Sequence, residues 1–255
     1  MTNQVKISVE DGVLSLSFNR PEKKNALTLD MYKAATAAIE RAESDPAIRV
    51  VLFTGEGDMF TAGNDIGDFL SVPPDAVDSP VVLFLQKLAA TDIPLLAAVN
   101  GRAVGIGTTL LMHCEKVFAD EQAVFTTPFV NLAVVPEAAS SLLMPRSLGY
   151  QQAARMLVFG ESLAAQAALA CGLVSEVVAA SELRRHALND ARRIAQLPKR
   201  AMRNAKRLMR RPDEALADRI GIEMKDFGEA LNSPESQEAM SAFMEKRAPD
   251  FSQFS

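Results

Sequence analysis

Two runs near the start of the chain alternate apolar and polar residues: Val5, Ile7 and Val9, then Leu14, Leu16 and Phe18. Asp11-Gly12 lies between them. A period of two on either side of a turn dipeptide predicts a strand, a tight turn and a second strand. At Thr28 the period changes to that of a helix, with Tyr32, Ala35, Ile39 and Ala42 on one stripe and a capping threonine at its start. Val50–Phe53 is continuously apolar and ends at Thr54-Gly55, which predicts a strand buried on both faces. The alternation then repeats. Val81–Leu88 reads as helix, Pro94–Val99 as a second buried strand ended by Asn100-Gly101, Gly105–His113 as helix and Lys116–Phe118 as strand. Strands that alternate with helices predict an α/β fold.

After about residue 180 the strand pattern stops. Leu183, Ala187, Ala191 and Ile194 form one helical stripe. Leu216, Ile220, Met224, Phe227 and Leu231 form another, opened by Pro212, and Ser233-Pro234 starts a last helix carrying Met240, Phe243 and Met244. The expected organisation is a core over residues 1–195 that holds the site, followed by a helical region over 196–255 whose apolar stripes cover the core or a neighbouring subunit.

The chain has 255 residues, 48% of them hydrophobic, enough to bury a substantial core and too apolar for disorder. Lys plus Arg is 27 and Asp plus Glu is 32, a net charge of −5, which argues against a general nucleic-acid binder. The charge is uneven, however: 11 of the basic residues fall between Glu182 and Arg211. That stretch reads either as a solvated helical face or as a local attraction for phosphates, on a cofactor or on RNA. Two cysteines, Cys114 and Cys171, make no disulfide framework and read as small core residues. His113 and His186 lack the clustering of a metal site, so no metal is expected. No uncharged apolar run reaches the ~18 residues of a membrane span. The N-terminus lacks a basic-then-apolar signal, and Phe-Ser-Gln-Phe-Ser255 is not a peroxisomal tripeptide, so a cytoplasmic protein is expected.

Three segments carry candidate chemistry. Thr61-Ala-Gly-Asn-Asp-Ile66 is a glycine turn after a buried strand. It reads as an ordinary strand ending or as a place where backbone approaches a ligand. Asn100-Gly-Arg-Ala-Val-Gly-Ile-Gly-Thr-Thr109 lies at a strand-to-helix junction, where free N–H groups point outward. It fits neither a phosphate-binding P-loop nor the dinucleotide fingerprint. Glu137 stands in the apolar run Ala133-Val-Val-Pro-Glu-Ala-Ala. An apolar setting would raise its pKa and make it a better base; the other reading is a first-turn helix glutamate. Together, two turns that offer N–H groups to an oxyanion and one carboxylate that moves a proton suit formation of an enolate from a thioester.

These residues resemble the crotonase superfamily, the enoyl-CoA hydratase/isomerase family. The resemblance runs from about Val5 to Arg247 and rests on Asn19-Arg-Pro-Glu-Lys-Lys-Asn-Ala-Leu27, Phe60-Thr-Ala-Gly-Asn-Asp-Ile66, Pro94–Gly107, Phe125-Thr-Thr-Pro-Phe-Val-Asn-Leu132 and the block Gly160–Val174. It implies a ββα spiral core with a C-terminal helical trimerisation region, a homotrimer or a hexamer of two trimers, and an acyl-CoA substrate. Coenzyme A then belongs to the substrate, and no separate cofactor is expected. The family's oxyanion N–H groups fall on Asn64 and Ile106. Its CoA-contacting positions fall on Lys24, Ala26, Ala62, Gly63, Asn64, Asp65 and Ile66. Residues 67–90 are expected to shape the acyl pocket, with Phe129 and Met112 as candidate limits to it.

The departures narrow the expectation. Family hydratases carry two glutamates that hold the attacking water; this chain has Thr109 and Phe129 at those positions. Glu137 matches instead the catalytic glutamate of the Δ3,Δ2-enoyl-CoA isomerase branch, and its context resembles the peroxisomal-type isomerases. The resemblance therefore implies movement of a C3 double bond to C2 in fatty-acid or related acyl-CoA catabolism. Hydration or another crotonase-type reaction is the nearest alternative. A non-catalytic CoA- or RNA-binding protein, using the basic stretch, is the remote one.

Overall fold

The computed structural model describes residues 3–71, 78–210, 221–222, 224–225, 227–229, 233–252 and 254. The chain begins with β1 (Val5–Glu10), β2 (Val13–Phe18), α1 (Leu29–Ser44), β3 (Val50–Gly55), α2 (Ile66–Ser71) and α3 (Pro80–Ala90). β4 (Leu95–Val99), β5 (Arg102–Val104), α4 (Ile106–Thr109), β6 (Lys116–Asp120) and β7 (Val124–Thr126) follow. Then come α5 (Ser140–Leu148), α6 (Tyr150–Leu157), β8 (Leu163–Ala164), α7 (Ala165–Cys171), β9 (Glu176–Val178), α8 (Leu183–Ala195), α9 (Lys199–Met209) and α10 (Pro234–Glu245).

A six-stranded sheet runs in the order β1-β2-β3-β4-β6-β9, and a three-stranded sheet in the order β5-β7-β8. The β1–β2 hairpin is antiparallel; every later pairing in the large sheet is parallel. β4 enters the large sheet, and the chain turns at Asn100-Gly101 and continues as β5 in the small one; β6 and β7 repeat the move. Single parallel bridges, Leu27 to Asn64 and Thr61 to Ala103, extend the same spiral to the earlier turns. The α/β class and the ββα spiral are as the sequence implies.

Alternation along the strands divides the core in two. Leu14, Leu16, Val51, Phe53, Leu95, Ala97 and Val99 face α1 and its buried stripe of Met31, Tyr32, Ala35 and Ile39. Val13, Val50, Leu52, Leu96, Ala98 and Phe118 face the opposite way, onto Leu183, Ala187, Ala191 and Ala195 of α8. Both faces of the sheet are covered, which is why its parallel strands read as unbroken apolar runs. Thr28 caps α1 by accepting a hydrogen bond from the Met31 amide at 3.3 Å.

Some elements differ from expectation. The helix expected over Gly105–His113 is α4 followed by a 3₁₀ turn, Leu110–His113. β5, β7, β8 and β9 have only two or three residues each, too short for a period to register. Leu216, Ile220 and Leu231 of the expected stripe, Pro212, residues 72–77 of the expected acyl-pocket segment, and the Phe243 side chain lie outside the described residues. Among those described, no helix is long and apolar enough to cross a membrane.

Candidate active site

The first wall of the site is a pair of crossing turns. Asn25, fully buried at a φ of 53°, donates from its side-chain amide to the carbonyls of Glu56 at 2.8 Å and Met59 at 2.6 Å. Its side-chain oxygen accepts from the Arg20 amide at 2.7 Å. These bonds fix the Lys24–Leu27 turn against the following segment: the Ala62 amide donates to the Lys24 carbonyl at 2.9 Å, Leu27 to Gly63 at 2.8 Å, and Asp65 to Leu27 at 2.9 Å. Lys24 and Ile66 are exposed at the edge of this crossing, and Ala26, Ala62 and Asn64 are half-buried along it. The Asp65 carboxylate is committed to Arg20 at 2.6 Å and to the Gly67 amide at 3.1 Å. The Arg20 hydrogen bond holds its carboxyl below the usual range.

The second turn is stitched to the first. Val104 donates to the Thr61 carbonyl at 3.0 Å, and Thr61 to the Arg102 carbonyl at 3.1 Å. Gly63 makes this approach feasible: its φ is +89°, and a Cβ there would stand 2.9 Å from the Val104 carbonyl oxygen. Gly107 lets α4 close over the first turn, since a Cβ would lie 2.4 Å from Thr61 Cγ2. Among the described residues, neither the Asn64 nor the Ile106 amide has a protein acceptor. Two unpaired donors on two stitched turns are what an oxyanion requires.

Glu137 sits on a loop before α5, partly buried. The two residues after it, Ala138 and Ala139, have φ values of 54° and 55°, a left-handed conformation costly for alanine. Neighbouring groups hold the turn. Ser140 donates to the Glu137 carbonyl from its amide at 3.0 Å and from its hydroxyl at 2.6 Å. His113 Nε2 donates to the Ala138 carbonyl at 2.9 Å. Burial keeps the His113 pKa below normal, so the ring is neutral and fit for that bond. The Thr109 hydroxyl donates to the Glu137 carboxylate. Burial pushes the Glu137 carboxyl up to about 7, against the downward pull of Thr109. A carboxyl poised near neutrality can both take and return a proton.

A family model described as enoyl-CoA hydratase/isomerase matches residues 8–254. The chain belongs to the enoyl-CoA hydratase/isomerase family. It is 38% identical to enoyl-CoA delta isomerase 2 of Homo sapiens over 199 residues, 75% of this chain and 50% of that one. It therefore spans about half the length of that relative and of its Rattus norvegicus counterpart. It is 34% identical to 2,3-dehydroadipyl-CoA hydratase of Escherichia coli (strain K12) over 252 residues, 98% of both chains. A solved protein from Magnetospirillum magneticum AMB-1, provisionally described as an enoyl-CoA hydratase/carnithine racemase, superposes with a TM-score of 0.95. The two are 42% identical, over 99% of this chain and all of that one.

Within this family frame, Thr109 and Phe129 take on meaning. Thr109 is fully buried and spends its hydroxyl on Glu137, and Phe129 is only 7% exposed, joined to the core. Neither can ionise to activate water. Three contributors escape the sequence. Tyr32 reads there as a core-stripe residue, yet its hydroxyl donates to the Asn64 side-chain oxygen. Thr109 reads only as a missing carboxylate, and His113 only as a lone histidine. The contacts that matter span 32, 28 and 25 residues, beyond any local pattern.

The basic stretch is largely spent inside the molecule. Arg184 pairs with Glu56 at 3.0 Å, Arg192 with Glu10 at 2.7 Å, Arg203 with Asp92 at 2.5 Å and Arg210 with Glu115 at 3.2 Å. Lys206 is buried, donating to the Ile93 carbonyl at 2.5 Å and pairing with Glu115 at 2.9 Å. These cations tie α8 and α9 to the core; such pairing weakens the phosphate-attracting alternative. Among the described residues no group of three His, Cys, Asp or Glu could hold a metal ion.

Proposed function

We propose that this protein is an enoyl-CoA isomerase that moves a C3 double bond of an acyl-CoA to C2. The observation that carries this reading is the Glu137 carboxyl, raised to about 7 and held by Thr109, with no second carboxylate at Thr109 or Phe129. The carboxylate takes a proton from C2, and the C–H electron pair moves towards the thioester carbonyl, giving a dienolate conjugated with the C3–C4 double bond. Protonation at C4 then re-forms the carbonyl and leaves the double bond between C2 and C3. The dienolate oxygen rests on the amides of Asn64 and Ile106, and Glu137 returns the proton at C4. One carboxylate serves both carbons, and the buried Phe129, where a hydratase has a carboxylate, offers no group to hold a competing water. Oxyanion donors of this kind contribute about 3–4 kcal/mol each.

In the same reading, Lys24, Ala26, Ala62, Gly63, Asp65 and Ile66 border the coenzyme A moiety. The chemistry is proton transfer alone, so it calls for no cofactor beyond the coenzyme A of the substrate. Residues 196–255 serve assembly into a trimer or stacked trimers, and the protein works in the cytoplasm.

The test compares purified protein on a 3-enoyl-CoA and on a 2-enoyl-CoA. Fast 3-to-2 conversion with negligible hydration is expected. The full-length match to a hydratase gives the competing outcome a definite form: efficient water addition to the 2-enoyl-CoA with slow isomerisation would overturn the isomerase reading.

A second expectation concerns Thr109→Val. Thr109 stabilises the charged form of Glu137, so its removal raises the Glu137 pKa further. A hydrogen bond to a charged group is worth about 1.5–3 kcal/mol, and roughly 1.4 kcal/mol is one pKa unit. The acid limb of kcat/KM against pH should therefore move upward by about one to two units. A limb that stays in place would remove Thr109 from the proton-transfer machinery.

A further inference from the structure

Tyr32 is buried on α1, with 2% of its surface exposed, and its ring meets Phe84 of α3 edge to face at a centroid distance of 5.4 Å. A tyrosine this deep must find a partner for its hydroxyl. The partner is the side-chain oxygen of Asn64. Asn64 makes no other side-chain hydrogen bond among the described residues, so Tyr32 is its tether. The backbone of the same asparagine carries one of the two unpaired amides of the site. It follows Gly63 at a φ of +89°, and the bridge to Leu27 ties the chain on both sides of it: Leu27 donates to the Gly63 carbonyl at 2.8 Å and Asp65 to the Leu27 carbonyl at 2.9 Å. Those bonds set the peptides on either side of Asn64, and the Tyr32 contact anchors its side chain as well.

We propose that Tyr32 is a positioning residue: its hydroxyl holds the Asn64 side chain, and through it keeps the Asn64 amide directed at the thioester oxygen. This rests on the oxyanion role given to Asn64 above. Two further observations fit. Burial, with the charge of Glu137 added, drives the Tyr32 pKa well above normal, so the hydroxyl keeps its proton and acts as a fixed donor. The bond to Asn64 also puts the Tyr32 hydroxyl on the site's side of α1. Tyr32 thus joins the packed helices α1 and α3 to the turn that must hold its shape while charge develops.

The test uses Tyr32→Phe, Asn64→Ala and the double variant. Phenylalanine keeps the ring against Phe84, and Asn64 is only half-buried, so its oxygen can regain water and the melting temperature should hold. For 3-enoyl-CoA turnover, kcat in Tyr32→Phe is expected to fall about tenfold, the order seen when an outer partner of a working group is removed, with KM changed less than twofold. Asn64→Ala should fall similarly, and the double variant should match the singles, because both cut one tether. Full kcat in Tyr32→Phe, or losses that multiply in the double variant, would overturn the proposal.

A second readout separates this proposal from the isomerase reading. Bound acetoacetyl-CoA reports enolate formation by its ultraviolet absorbance, and it needs only the oxyanion site. If the wild-type protein enolises this probe and Tyr32→Phe lowers the bound enolate about tenfold, while 3-enoyl-CoA is not turned over, the positioning role stands and the isomerase reading fails. If 3-enoyl-CoA is isomerised and neither kcat nor bound enolate responds to Tyr32→Phe, the isomerase reading stands and Tyr32 is a core residue only.

Discussion

Glu137→Gln is expected to lower 3-to-2 isomerisation about 10³-fold, within the 10²–10⁴ that a positioned acid–base group contributes, with KM changed only slightly. The amide keeps the shape of the side chain and can still accept from Thr109, so the substitution removes the proton carrier and little else. The same variant has a stability signature with a defined sign. In the folded state burial pushes the carboxyl up to about 7, above its ordinary value of 4.5, so between these values the folded state binds more protons than the unfolded one. Wild-type stability therefore falls as pH rises through that window and levels off above it. Glutamine does not titrate, so Glu137→Gln should gain on the wild type from pH 4.5 to 7 and keep its advantage at pH 8. One pKa unit is worth about 1.4 kcal/mol, which puts the gain at roughly 3 kcal/mol as an upper figure for a partly buried group. Paired melting curves at pH 5 and pH 8 measure it. An active site that stores unfavourable burial in one carboxylate should show both effects together: loss of turnover and gain of stability. Turnover that survives in the glutamine variant would require another base and would return the reaction to open choice within the family.

What the sequence reveals and what it hides divide along physical lines. The large sheet is legible because it is buried on both faces: Val50–Phe53 and Pro94–Val99 are continuous apolar runs, and α1 and α8 show a helical period against them. The small sheet is hidden because its strands are two or three residues long and owe their place to pairing across the spiral, as with Arg102–Val104 against Val124–Thr126. Glu137 stands out because a carboxylate between Val135, Pro136 and two alanines conflicts with its surroundings. Gly63 and Gly107 are visible as glycines, but only the fold assigns their reason, namely the closeness of Val104 and Thr61. The contacts of Tyr32, Thr109 and His113 are hidden altogether. Their side chains are ordinary for a helix stripe or a turn, and their partners Asn64, Glu137 and Ala138 come near only when the spiral closes. The basic stretch misleads in the opposite direction. Its charge is conspicuous as a run, while the acids that neutralise it, Glu10, Glu56, Asp92 and Glu115, are scattered over more than a hundred residues.

Gly63→Ala is expected to cut kcat by about 10²–10³, the loss that follows removal of one oxyanion donor, although no donor atom is deleted. Alanine at a φ of +89° is strained whatever space it has, and here its Cβ would also stand 2.9 Å from the Val104 carbonyl oxygen. That carbonyl cannot simply retreat, because the Val104 amide is bonded to Thr61 at 3.0 Å and β5 is paired along its length with β7. The strain must then be taken up in the Ala62–Asn64 peptides themselves, at the expense of their bonds to Lys24 and Leu27, and the Asn64 amide swings out of place. Left-handed backbone costs a residue with a side chain about 1–3 kcal/mol, so a lower melting temperature should accompany the kinetic loss. Gly172→Ala supplies the comparison. Its φ is +86°, with nothing within 4 Å of an added Cβ, and it ends α7 outside the turns that form the site. Both variants should lose stability, and only Gly63→Ala should lose kcat and its ability to stabilise bound acetoacetyl-CoA as an enolate. Equal kinetic effects at the two glycines would mean that the loss tracks stability rather than the direction of one amide, and Asn64 would have to give up its place in the oxyanion pair.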